Sequence, residues 1–167
     1  MYDDSSRFVD IHINGYSDAD WASSTIDQGS VSGYVFLLGG GAMAWSSKKQ
    51  PMVALSSTEA EYMASSNATT QAWLRKLFNE LNFLQPTPAK LLLDNQSAIA
   101  LASNPQFHAQ SKHIDIRHHF IRSCIADGQV QLYWCPTNEM IANILTKSLP
   151  YPKFNLLSHL MGMLASV

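Results

Sequence analysis

Apolar residues fall along the chain in runs of two kinds, one alternating with period two and one recurring every three to four positions. Val9, Ile11 and Ile13 alternate with Asp10, His12 and Asn14, which predicts a first strand over 8–18, with Gly15 as a point where it bends or bulges. Ser32 to Leu38 and Ala42 to Ser47 flank Gly39-Gly40-Gly41 and predict a hairpin. Glycine runs also cradle phosphates, but only ahead of a helix that carries a lysine at fixed spacing; here a strand follows. Lys90 to Leu93 and Val130 to Cys135 are the remaining strands. Between the hairpin and Lys90 lies the longest helical pattern. Ala60, Ala64 and Ala68, then Leu74, Leu77, Phe78 and Leu81, recur at helical spacing from Ser56 to about Phe83, where Pro86 and Pro88 stop the helix. A helix over 111–127 ends at Gly128, a short one is expected over 138–146, and an amphipathic stretch follows Pro150 and Pro152.

Acids stand where these elements begin or end. Two hydrophobic runs terminate in aspartate, Asp18 and Asp94, with Asp20 already in the following loop. The long helix opens on Ser56-Ser57-Thr58-Glu59-Ala60-Glu61. Ser56 with Glu59, or Thr58 with Glu61, has the spacing of a capping box, so one of the two glutamates serves as a cap. An aspartate at a strand-to-helix junction, such as Asp94, is more often an N-cap than a ligand. Sites nevertheless gather at the carboxyl ends of strands in open α/β sheets. Convergence of Asp18, Glu61 and Asp94 on divalent cations is therefore expected. His113, His118 and His119 share their helix with Lys112, Arg117 and Arg122, a solvated basic face rather than a metal-binding spacing.

Composition narrows the classes. With 167 residues, 46% hydrophobic and 14% charged, the chain can bury a core as one domain. A net charge of -2 argues against strong autonomous nucleic-acid binding while leaving room for a local basic surface. Cys124 and Cys135 form neither a disulfide framework nor a zinc pattern, which fits a reducing compartment. No apolar run reaches membrane-spanning length and the first residues are too polar for a signal peptide, so an intracellular, non-membrane protein is expected.

Specific strings sharpen the reading. Gly15-Tyr16-Ser17-Asp18-Ala19-Asp20-Trp21, Ser32-Gly33-Tyr34-Val35, Trp45-Ser46-Ser47-Lys48-Lys49-Gln50 and the stretch from Ser56 to Ala64 resemble the ribonuclease H domain of copia-type retrotransposon polyproteins. So do Asp94-Asn95-Gln96-Ser97-Ala98, Lys112-His113-Ile114-Asp115-Ile116-Arg117 and Ile144-Leu145-Thr146-Lys147, and the likeness extends from about Ile13 to Phe154.

This resemblance implies an α/β ribonuclease H-like fold: a five-stranded mixed sheet, three antiparallel strands then parallel strands, flanked by helices. It would occupy residues 9–147, after a tail of residues 1–8 and before a C-terminal tail or packing helix over 148–167. It further implies magnesium-dependent cleavage of the RNA strand of RNA/DNA hybrids during reverse transcription, in the cytoplasm within virus-like particles or in the nucleus. The reverse transcriptase domain of the same polyprotein would be a partner. Two magnesium ions, with manganese as an alternative, would be held by Asp18, Glu61, Asp94 and position 143. Family members read Ala-Asp-Ile-Leu-Thr-Lys at that last position, and this chain has Asn143. An amide keeps a carbonyl oxygen but loses the charge, implying metal affinity or turnover reduced by roughly 10- to 100-fold. Lys48, Lys49, Lys112, His113 and Arg117 are the candidate contacts to the nucleic acid. The other reading is a catalytically inactive, retroelement-derived binding module that keeps the fold.

Overall fold

The computed structural model describes residues 12–23, 28–70, 73–83, 88–103 and 119–163. Five strands form one sheet in the order β3-β2-β1-β4-β5: β1 (Ile13–Asp20), β2 (Val31–Leu38), β3 (Gly41–Lys49), β4 (Ala89–Leu93) and β5 (Val130–Trp134). β1, β2 and β3 pair antiparallel, and β4 lies parallel to both β1 and β5. This is the mixed sheet expected from the resemblance. Gly39 and Gly40 both take positive φ, 58° and 84°, as a two-residue primed turn demands.

The first strand departs from expectation in two ways. β1 pairs with β2 residue for residue as far as Asp20 opposite Val31, so Asp20 is strand and not loop. Gly15 stands in unbroken register opposite Phe36, and the irregularity lies between Phe36 and Leu37 in the β2–β3 pairing. What requires a glycine is space: a Cβ at residue 15 would sit 2.6 Å from the Phe36 ring and 3.0 Å from Leu91. Residues 8–11 of the expected strand lie outside the described residues.

The expected long helix is two, α1 (Ser57–Thr69) and α2 (Trp73–Glu80). The hydroxyls of Thr69 and Thr70 donate to the carbonyls of Ser65 and Asn67 at 2.8 and 2.6 Å, and Thr70 is the C-cap. A β-branched pair bonding back to its own helix competes with continuation of the backbone ladder. Ala60, Ala64 and Ala68 are buried, as their spacing implied. Ala60, Met63 and Ala64 pack with Ala19 and Ala54, while Ala68 joins the main core of Ile13, Phe36, Leu91 and Leu93. Burial of such large side chains contributes about 1.5–3 kcal/mol each.

After β4 come α3 (Gln96–Ser103) and α4 (His119–Ala126), both packed against α1, the latter stopped by Gly128 at φ 65°. The expected helical residues 111–118 lie outside the described residues. A 3₁₀ turn over Ile141–Leu145 replaces the short helix expected from 138 to 146. Its N-cap, Met140, offers no side-chain acceptor, and the amides of Asn143 and Thr146 bond three residues back. Five residues without a cap do not sustain an α-helix.

Helix α5 (Tyr151–Leu160) packs through the fully buried Leu157, and the Ala42 amide donates to the Met161 carbonyl at 2.9 Å. Among the described residues no helix is long and apolar enough to cross a membrane.

Gly33 brings the 3₁₀ turn close to β2. A Cβ there would meet Thr146 Cγ2 at 2.7 Å and Leu145 Cβ at 2.9 Å. Gly33→Ala is expected to lower stability by about 1–3 kcal/mol, the usual cost of overpacking, measured by denaturant unfolding. An unchanged midpoint would mean that the turn is free to move.

Candidate metal centre

Parallel pairing of β1 with β4 places their carboxyl ends at one edge of the sheet, and α1 crosses that edge near its first turn. Asp18, Glu61 and Asp94 meet there, one oxygen of each lying within 4.8 Å of the others. Helix capping at these junctions falls to other residues. Ser56 Oγ accepts from the Glu59 amide at 3.2 Å, and Glu59 Oε2 accepts from the Leu55 amide at 2.8 Å, so Glu59 is the capping acid. Asn95 Oδ1 accepts from the Ala98 amide at 3.0 Å. The cap at that junction is therefore Asn95, and Asp94 is not spent on it. The Trp134 indole donates to the Asp94 backbone carbonyl at 3.1 Å, tying the end of β4 to β5.

Asp18 is 1% exposed and Glu61 6%. Burial pushes the Glu61 carboxyl up to about 9, with Asp18 and Asp94 acting in the same direction and the Ala19 backbone and Lys147 opposing. Burial also lifts Asp18 above its ordinary range, although Lys147 and Thr146 pull it down. Asp18 Oδ2 accepts from the Thr146 hydroxyl and forms an ion pair with Lys147 Nζ at 3.4 Å. Asp18 Oδ1 and Glu61 Oε2 are buried with no hydrogen-bond partner among the described residues. Orphaned, hard, anionic oxygens at a shared point suit a divalent cation of the magnesium or manganese type.

Asn143, the fourth expected ligand, is 2% exposed. Its Nδ2 donates to the Thr137 carbonyl at 3.0 Å, and its Oδ1 is buried without a partner among the described residues. Its backbone carbonyl accepts from the amides of Thr146 and Lys147, each at 3.3 Å, so this residue also aims the two groups that reach Asp18. Lys48 and Lys49, at the end of β3, border a polar surface cavity of about 400 Å³ with Ser32, Tyr34 and Asn67. Lys112, His113 and Arg117 lie outside the described residues. In the sequence Thr146 and Lys147 stand out only as part of the string Ile144-Leu145-Thr146-Lys147, and their contacts with Asp18 emerge from the fold. A hydroxyl and a cation directly after a candidate ligand helix were the available signal.

The topology is that of ribonuclease H domains. The N-terminal RNase H domain of rv2228c from Mycobacterium tuberculosis superposes with a TM-score of 0.54 at 11% identity, over 89% of this chain and 97% of that one. LC11-RNase H1, solved in complex with an RNA/DNA hybrid, superposes with a TM-score of 0.50 at 15% identity, over 80% of this chain and 93% of its own. No family model matches the sequence.

The chain is homologous to the copia-type Pol polyproteins of plant transposons. It is 42% identical over 152 residues to the retrovirus-related Pol polyprotein from transposon TNT 1-94 of Nicotiana tabacum, a match that covers 90% of this chain and 11% of the polyprotein. The chain thus spans about a tenth of the length of that relative.

The raised Glu61 carboxyl sets a pH dependence. From its ordinary range near 4.5 up to about 9, the folded protein holds a proton that the unfolded chain has released. Stability from this group is therefore complete at low pH and is lost as pH rises through that window. In chelator, the melting temperature is expected to fall between about pH 5 and pH 9. Magnesium at about 100 times its dissociation constant would add about 2.7 kcal/mol and flatten the slope, since the ion takes the deprotonated carboxylate. Melting curves indifferent to magnesium and manganese at every pH would count against the centre.

Proposed function

We propose that the chain is a metal-dependent endoribonuclease that hydrolyses the RNA strand of RNA/DNA hybrids in retrotransposon reverse transcription. The observation that carries this reading is the meeting of Asp18, Glu61 and Asp94 at the sheet edge of a ribonuclease H fold. Magnesium or manganese held there would lower the pKa of an attacking water and neutralise the leaving oxygen. Asp18, Glu61 and Asp94 would hold the cation, Asp18 and Glu61 through oxygens that have no hydrogen-bond partner among the described residues. The buried Asn143 Oδ1 adds a neutral donor, weaker by its missing charge.

Because LC11-RNase H1 was solved with a hybrid, the same class of substrate is proposed here. Lys48 and Lys49 at their polar cavity contact its phosphates, joined by Lys112, His113 and Arg117. Minor-groove contacts to 2′-hydroxyls would distinguish the RNA strand. The reverse transcriptase domain of a longer Pol polyprotein supplies further grip, and the setting is intracellular, in virus-like particles or the nucleus.

A second reading, an inactive binding module that keeps the fold, draws on one contact. The Asn143 amide is already engaged with Thr137, an interaction that an aspartate could not make.

A labelled RNA/DNA hybrid incubated with magnesium separates the two. Wild type is expected to cleave the RNA strand, and Asp94→Asn to lose about 100-fold or more. Asn143→Asp is expected to gain roughly 10- to 100-fold in turnover. In chelator the same variant should lose about 1–3 kcal/mol of stability, because a carboxylate then faces the Thr137 carbonyl. Equal inertness of wild type and Asp94→Asn, with cleavage restored only by Asn143→Asp, would establish the module reading.

A further inference from the structure

Lys147 has no part in the mechanism above, yet its ammonium forms an ion pair with the most deeply buried acid of the centre. It lies 3.4 Å from Asp18 Oδ2, with its own side chain 32% exposed and the carboxylate 1% exposed. The position is built. The Lys147 amide bonds to the Asn143 carbonyl at 3.3 Å, and the neighbouring Thr146 hydroxyl donates to the same Asp18 oxygen. One oxygen of Asp18 is thus committed to protein donors, while Oδ1 has no partner among the described residues.

This asymmetry bears on how many ions the centre can hold. A carboxylate shared by two cations must offer both oxygens, or share one between them, and here Oδ2 already faces a hydroxyl and an ammonium. Charge gives the same count. Once a cation has displaced their protons, the three carboxylates carry three negative charges, Lys147 returns one, and Asn143 supplies none. The remainder matches one divalent ion. A second would leave excess positive charge in a buried pocket, where like charges repel far more strongly than in water.

We infer that Lys147 takes the part of a second cation, so that the centre binds one divalent ion tightly and the tethered ammonium supplies the other positive charge. This rests on the reading of Asp18, Glu61 and Asp94 as a metal centre. The ammonium competes with any further ion for Asp18. Removing it opens the site, and keeping a cation at residue 147 keeps it closed.

Manganese binding to the full chain at neutral pH, followed by the loss of the free-ion electron paramagnetic resonance signal, tests this without reference to turnover. Wild type is expected to hold one tight equivalent. Lys147→Met is expected to hold a second, or to hold the first about tenfold or more tightly, and Lys147→Arg to match wild type. Circular dichroism melts check that each variant folds. Two equivalents of equal affinity in wild type overturn the inference whatever the variants do. Identical number and affinity in wild type and Lys147→Met overturn it while leaving the metal centre standing. No binding by either folded protein removes the metal centre and this inference together.

Discussion

A carboxylate taken out of water needs a positive charge or a proton, and the architecture of this protein turns on that requirement at Asp18. The residue is almost fully buried beside two more acids, and its nearest compensation comes from Thr146 and Lys147, more than a hundred residues along the chain. The electrostatic demand of one strand residue thus joins the packing of Met140, Ile141 and Ala142 against Val35 and Leu37 in fixing the 3₁₀ turn on the sheet. Gly33, opposite Asp18 in the register, permits the approach because it has no side chain to obstruct Thr146 and Leu145. Sheet register, a missing Cβ and an ion pair form one mechanical unit.

The same requirement explains why the helix carrying Glu61 lies so close. A spine of Ala60, Ala64 and Ala68 lets α1 settle against β1 and the main core, which carries Glu61 into the low-dielectric edge. The cost of burial appears as a carboxyl that holds its proton to about 9. Preorganisation of this kind separates a site from a surface cluster of acids. The three carboxylates are kept in place by packing, and the repulsion among their charged forms would favour a bound cation.

Much of this could be read from residue order, and the exceptions have definite causes. Strand alternation, the triple glycine and the capping spacing at Ser56 are local signals, and the five strands with their antiparallel-then-parallel arrangement follow the resemblance. The capping ambiguity between Glu59 and Glu61, and the doubt attached to Asp94, were not decidable locally. They resolve only because Glu59 turns back to Leu55 and Asn95, not its neighbour, caps α3. The extension of β1 to Asp20 is enforced by pairing with β2, which strand propensity does not encode. The break after Thr69 follows from hydroxyls competing with the backbone, a contest that apolar periodicity does not register. Lys147 was invisible as a participant because its partner is distant in sequence, and surface lysines without such a partner are common.

The contact between the end of α5 and the hairpin carries a different consequence. β3 lies at the border of the sheet, where a row of unpaired amides can recruit a strand from another molecule. By accepting from the Ala42 amide, the Met161 carbonyl closes that border at the hairpin end, and Gly162 fits against Gly40 where a side chain would collide. Helix α5 thus acts as a selvedge at one corner of the sheet, a finished margin where a borrowed strand would otherwise begin to pair with β3.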